Sequence, residues 1–385
     1  MNGAYSHSDG VIAICGDQSL RWSDLALVCE DILRHGGGKY NYSYMRGVPY
    51  VVSIGSGGER SGLFEILCRT RSCQATDPRD KFFGILSLVE GGDDEQFHLA
   101  NYSQSVTMVY TEIGLYLLRK NSLDVLQAIR RPHLSLPNLA SWLPDWSNAT
   151  DNDPFWVDNG QDMWFNKTFF QSIKDNMWYE NNGITPRRQI LPCCLAHDSS
   201  ADHQYHPVLS VNGFTISHVR SVGAIFDFQE SSVCMEAIGM ITESEGDCSS
   251  SYLPPGFAPS VQHEGYDFES LFQCYCPIPE ASGSSSELKL YEAAMDGYRL
   301  VLDDCNHLGV APQETEVGDK IVFILGAPKF CVLRQRTEGG WILISGECYL
   351  PTLRDETGEA ALGENYPCLK DGKLNPETKE EFEIW

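Results

Sequence analysis

The stretch from Cys73 to Leu88 constrains the fold most, because it predicts a sharp turn from a loop into a buried helix. Asp77 can cap that helix, since its carboxylate can accept from the free N–H groups of the first turn. Pro78 suits the first helical position, where its missing N–H costs nothing. We expect Arg79 and Asp80 to be solvated or paired charges at the edge of the loop. Apolar residues at helical spacing then predict one buried face, formed by Phe82, Ile85, Leu86 and Val89.

Composition narrows the class of partner and the number of domains. The chain has 385 residues, of which 42% are apolar, and this is enough for one large or two ordinary domains. Its formal net charge is −25, and no cluster of Lys and Arg stands out. Because phosphate groups are bound by local positive charge, a nucleic-acid or anionic-membrane partner is disfavoured. A run of about 18 apolar residues is also missing, so no transmembrane helix is predicted.

The 14 cysteines are scattered and lie mostly in apolar surroundings. Free cysteine behaves as a small apolar residue there. The first ten residues are polar, without a basic start or an apolar run, so we expect no signal peptide. Reduced thiols and a cytoplasmic location are therefore predicted. The sequence leaves the oligomeric state open.

Two groups of residues contain the side-chain types that bind zinc. The first is Cys193, Cys194, His197, Asp198, Asp202, His203 and His206, and the second is Cys274, Cys276, Cys305 and His307. Neither group has the spacing of a usual zinc site, so both are interpreted as ordinary loop residues. Residues 55–60, GSGGER, lack the spacing and the ending of a phosphate-binding loop. We therefore predict no metal and no cofactor.

No local catalytic signature is found. The chain has no G-x-S-x-G segment. Its paired carboxylates, such as Asp93-Asp94 and Asp303-Asp304, are neighbours in sequence, and neighbouring side chains point apart on a helix or strand. No catalytic residue is assigned on these grounds.

Helical spacing dominates the first part of the chain. It predicts helices over 22–35, 61–73, 101–120 and 121–130. Ser103 is the expected cap of the third helix. Residues 147–206 are polar and irregular, and are interpreted as a linker.

From Pro207 the pattern changes to that of strands. Asn212-Gly213 lies between alternating apolar residues and predicts a hairpin turn, because both turn residues need positive φ. Further strands are predicted over 320–325, 330–336, 341–345 and 348–350, and helices over 229–241 and 284–305. The expected fold class is α+β, with a mostly helical N-terminal half followed by an antiparallel β-barrel-like domain with inserted helices. The end of the chain is acidic and is expected to fray.

Three segments resemble motifs of fungal heterokaryon incompatibility (HET) domain proteins, in the order that the family shows. The first motif lies within Thr76–Val89, the second is Leu136–Trp146, and the third runs from Val317 to Tyr349. Their signature residues, interpreted as structural, are Thr76, Asp77, Pro78, Arg79, Asp80, Trp142, Pro144, Asp145, Trp146, Gly318, Asp319, Gly326, Leu333, Arg334, Gly346, Glu347 and Tyr349. The family's N-terminal motifs are absent, so the resemblance is to the C-terminal part of a longer protein.

This resemblance implies a domain plan and a function. Residues 1–146 would be the end of a HET domain plus a helical connector, 147–206 a linker, 207–353 the barrel-like domain, and 354–385 an acidic tail. The chain would be a truncated, non-enzymatic recognition or regulatory part of a protein of non-self recognition and programmed cell death. It would act by contact with a protein partner. Two alternatives stay open: a stand-alone protein-binding scaffold without death activity, and an enzyme with a pocket between the two halves.

Overall fold

The computed structural model of the protein divides into two compact units. They are Met1–Gln104 with Trp146–Gln161 and Ile278–Ala294, and Ser105–Asp145 with Asp162–Pro277 and Met295–Trp385. The residues that the structure describes are 12–35, 62–71, 73–86, 89, 100–120, 123–129, 136, 138–147, 188–193, 206–225, 297–305, 308–348, 350, 352–354, 360–362, 366–370 and 373–385. Residues 105–145 thus belong to the second unit, although the sequence placed them with the N-terminal half.

The first unit begins with a two-stranded hairpin. Strands β1 (Ile12–Cys15) and β2 (Gln18–Arg21) pair antiparallel around Gly16, whose φ of +62° favours glycine. Helix α1 (Trp22–His35) follows directly, as predicted. Helix α2 (Leu63–Arg69) also lies where helical spacing predicted it. The N-terminal half is nevertheless not clearly helical in its described ranges.

Helix α3 (Asp80–Phe83) is the helix predicted by the first motif, and it is a single turn. Phe82 and Ile85 are buried, as the apolar spacing predicted. The Asp77 carboxylate accepts from the backbone N–H of Arg79 at 3.0 Å, but Arg79 stands at the N-cap and no side chain caps this helix. The predicted start, with Asp77 as cap and Pro78 as first helical residue, is therefore wrong by two residues.

The second unit starts with helix α4 (Val106–Lys120), which buries Val109, Ile113 and Leu117 along one face. Its first turn is capped by Ser105, whose Oγ accepts from the backbone N–H of Met108 at 3.2 Å. The predicted cap, Ser103, is therefore wrong by two residues. The next predicted helix, 121–130, is a short 3-10 helix at Asp124–Ala128.

A 20-residue strand, β4 (His206–Ile225), organises the sheet. Four strands pair antiparallel with it: β3 (Arg188–Cys193), β5 (Tyr298–Asp303), β7 (Lys320–Ile324) and β14 (Lys379–Ile384). The remaining main strands are β6 (Leu308–Pro312), β8 (Phe330–Gln335) and β9 (Trp341–Cys348). The sheet order is β14-β9-β8-β7-β4-β5-β6, with β3 also paired to β4. The protein thus combines helices with a large mixed sheet.

Short elements fill the region before β14. Strands β10 (Thr352–Arg354) and β11 (Ala360–Leu362) form one pair, and β12 (Leu369–Lys370) and β13 (Lys373–Leu374) form another. A 3-10 helix at Pro376–Thr378 leads into β14. The hydrophobic core of this unit contains Phe214, Ile216, Val301, Ile321, Phe323, Phe330, Val332, Tyr366 and Cys368.

The predicted hairpin turn at Asn212-Gly213 is wrong, since both residues lie inside β4. A Cβ on Gly213 would lie 2.3 Å from the carbonyl oxygen of Phe323, on the neighbouring strand. Glycine is needed here for close approach between two strands, and not for positive φ.

The predicted helix over 284–305 is wrong where the structure describes it. Residues 298–303 form β5, which is paired on one side with β4 and on the other with β6. Tyr298, Val301 and Leu302 are buried, and their i, i+3, i+4 spacing suits a helix nearly as well as a strand. Pairing with β4 and β6 therefore selected the strand, with its period of two residues, over the helix. The rest of that predicted helix, and the one over 229–241, lie outside the described residues.

The acidic end of the chain is not frayed, because β14 pairs with β4 along six residues. Phe382 and Ile384 are fully buried, whereas Glu381 and Glu383 are exposed. The interpretation of 147–206 as irregular is likewise wrong at β3. In β14, the alternation of buried Phe382 and Ile384 with exposed Glu381 and Glu383 was hidden within an acidic composition.

Candidate functional site

The first motif is built around an ion pair between Asp77 and Arg79. Arg79 Nε lies 2.9 Å from Asp77 Oδ1, and Nη2 lies 2.7 Å from Oδ2. Arg79 Nη1 also donates to the backbone carbonyls of Tyr102 at 2.5 Å and Gln104 at 2.8 Å. The hydrogen bonds from Arg79 hold the pKa of the Asp77 carboxyl below its usual range. Arg79 therefore fastens the motif to the segment that precedes α4.

Asp80 and Lys81, the other charged residues of the first motif, also make hydrogen bonds within the chain. Asp80 accepts a hydrogen bond from the hydroxyl of Tyr102, and this contact raises the pKa of that tyrosine. Lys81 is buried and donates to the carbonyls of Arg71, at 2.6 Å, and of Cys73. Of the uncharged signature residues, Thr76 is exposed and Pro78 is half-buried.

The second motif places two tryptophans in buried positions. Trp142 Nε1 donates to the carbonyl of Pro207 at 2.9 Å, at the start of β4. Trp146 packs edge-on against Phe64, with 6.4 Å between ring centroids, and lies beneath the guanidinium of Arg71. Between the tryptophans, Pro144 is buried and Asp145 is half-buried. These contacts anchor a loop, as paired tryptophans commonly do.

The third motif contains an ion pair between Asp319, which is buried, and Arg334 on β8. Arg334 Nε and Nη2 lie 2.8 Å and 2.9 Å from the two Asp319 oxygens. Arg334 Nη2 also donates to the carbonyl of Glu314 at 2.7 Å, and Asp319 accepts from the N–H of Glu316 at 2.8 Å. Bonding to Asp319 raises the pKa of Arg334. The pair holds the turn that contains Gly318, whose φ is +94°.

Glu347 is the most deeply buried acidic residue of the motif, with 1% of its surface exposed. Its Oε2 accepts from the hydroxyl of Tyr298 at 2.9 Å, and its Oε1 contacts the ammonium group of Lys329. A buried carboxylate is costly unless it is paired and hydrogen-bonded, and both conditions are met here. Leu333 is also buried, Gly326 has a φ of +89°, and Tyr349 lies outside the described residues.

Residues 123–129, which follow α4, pack against one edge of β9, together with Ser141 of the second motif. A Cβ on Gly346 would lie 1.8 Å from the carbonyl oxygen of Leu126. Ser345 Oγ donates to the carbonyl of Ile129 at 3.2 Å, and the Leu343 N–H donates to Ser141 Oγ at 2.9 Å. We call this set of contacts the β9 edge contact. It brings the second and third motifs together.

Sequence reasoning missed Ser141, Ser345, Tyr298 and Lys329 as members of these networks. Leu343 and Ser141 are 202 residues apart, and Tyr298 and Glu347 are 49 residues apart. No local pattern marks such pairs, because a hydroxyl or an amine forms a network only when the fold supplies its partner. The steric need for glycine at position 346 follows only from the fold.

The zinc candidates are only partly described. Cys193 and His206 stand opposite each other in the β3–β4 register, while the other members of their group lie outside the described residues. Cys305 is described, whereas Cys274, Cys276 and His307 are not, nor are residues 55–60. Within the described ranges, no three His, Cys, Asp or Glu side chains are placed to hold a metal ion.

Cys305 has a strongly perturbed thiol. Burial and the nearby carboxylates of Asp303 and Asp304 raise its pKa to about 12. The thiolate, which is the nucleophilic form, is therefore rare at neutral pH. His218 binds the same Asp304 carboxylate at 3.1 Å, and this pair lies at the exposed side of the sheet.

Two wider properties complete the description. None of the helices within the described ranges combines the length and the apolar character that crossing a membrane requires. Large apolar side chains are exposed on the β1–β2 hairpin and on α1, namely Ile12, Ile14, Leu20, Leu27 and Val28.

Comparison of the chain with protein-family models, curated proteins and solved structures finds no significant match. Its function is therefore inferred from its own motifs and their contacts.

Proposed function

We propose that this chain is a non-enzymatic recognition or regulatory part of a fungal HET-type protein, active in non-self recognition and programmed cell death. It would act by contact with a protein partner in the cytoplasm. The observation that carries the proposal is the β9 edge contact. Two motifs that resemble the family pack on each other there, through Ser141 and Leu343, which are 202 residues apart. Such packing is expected if both are signatures of one folded unit.

The contacts of the charged signature residues support a structural role for them. Asp77 binds Arg79, Asp319 binds Arg334, and Glu347 binds Lys329 and Tyr298. A catalytic group must reach its substrate, whereas these side chains are engaged with the chain itself. This favours recognition over catalysis as the role of the segments that carry these residues.

In this proposal, five strands of the sheet close into a small barrel, which is the domain that the resemblance implies. The pairings of β14 support this arrangement. It pairs antiparallel with β4 and also makes a parallel pair with β9 through Ile384 and Trp341. The strands β4, β7, β8, β9 and β14 would then follow one another around the barrel.

The test is affinity capture of the tagged chain from a filamentous fungus, with the captured proteins identified by mass spectrometry. Wild-type protein should enrich a specific protein partner. The variant Gly346→Val, which disrupts the β9 edge contact, should lose it. Gly62→Ala is the matched control, since a Cβ there meets no atom within 4 Å and the backbone is compatible with alanine. Absence of any partner that depends on the intact unit would overturn the proposal.

Induced expression in the same fungus separates the proposed role from its alternatives. Growth arrest that Gly346→Val abolishes is expected for a part that can signal death by itself. A captured partner with normal growth, at confirmed protein levels, would instead identify a binding scaffold. Turnover of a small molecule by the purified chain would identify an enzyme and contradict the non-enzymatic assignment.

A further inference from the structure

We draw no further inference here: the strongest candidate, the exposed apolar side chains of Ile12, Ile14, Leu27 and Val28 on the β1–β2 hairpin and α1, carries nothing because no contact in the described part of the chain shows what covers them.

Discussion

The first motif and the β9 edge contact differ in the sequence separation of the residues that they join by polar contacts. The separation is short in the first motif and long in the β9 edge contact. The first motif binds partners between Arg71 and Gln104, and most of its ionic groups are partly exposed. The β9 edge contact joins Ser141 to Leu343, and Ile129 to Ser345, through buried groups. Local contacts can form before the fold is complete, whereas the distant ones exist only once it is complete. We therefore expect substitutions at the two places to differ strongly in their effect on stability.

The largest effect is expected for Gly346→Val. Its side chain would meet the backbone carbonyl of Leu126, which cannot move away as a flexible side chain could. We expect a loss of about 4 kcal/mol in the free energy of unfolding, or loss of the cooperative transition. Chemical denaturation followed by tryptophan fluorescence measures it. Gly62→Ala should cost at most about 1 kcal/mol, because alanine is a poorer N-cap residue than glycine. Equal stability of the two variants would show that a side chain at position 346 does not clash with the carbonyl of Leu126.

A second large effect is expected at the end of the chain. Phe382→Ala should lower the free energy of unfolding by about 3 to 5 kcal/mol, because the ring is fully buried in β14. Glu383→Ala, at the adjacent exposed position, is the matched control and should be nearly neutral. A mild effect of Phe382→Ala would support the frayed acidic tail that composition suggested.

A smaller effect is expected at the buried carboxylate of the third motif. Lys329→Met removes the ammonium partner of Glu347 and should cost about 3 kcal/mol, since the acid stays buried. Adding Glu347→Gln to that variant should restore part of the loss, as the charge is then removed. A double-mutant cycle measures this coupling, which should exceed about 1 kcal/mol. Additive effects of the two substitutions would show that the groups do not interact.

The smallest effect is expected in the first motif, where the ion pair is partly exposed. Because the folded-state pKa of Asp77 lies below its unfolded value, the pair stabilises the protein above the unfolded pKa. That contribution is lost as pH falls through the folded pKa. An NMR titration of the Asp77 carboxyl should give a value below 3.8, and Arg79→Gln should bring it back towards 3.8. An unchanged pKa in that variant would mean that Arg79 is not the cause.

Sequence reasoning succeeded where a pattern is local. Helices α1 and α2, the apolar face of α4 and the buried Phe82 follow from side-chain spacing, and strands β7, β8 and β9 from short apolar runs bounded by glycines. It failed where two local patterns compete. Asn212-Gly213 carries a hairpin signal, and Tyr298–Asp303 carries a helical one, yet both belong to strands.

The sequence by itself determined the positions of these helices and strands. Only the tertiary structure decided that β4 runs unbroken, that the acidic end forms β14, and that Leu126, Ile129 and Ser141 contact an edge of β9. The physical reason is that a backbone hydrogen bond between distant segments lowers the free energy only when the rest of the fold already holds both segments in place. Such pairing overrides the local preference of a few residues, and no spacing along the chain records it.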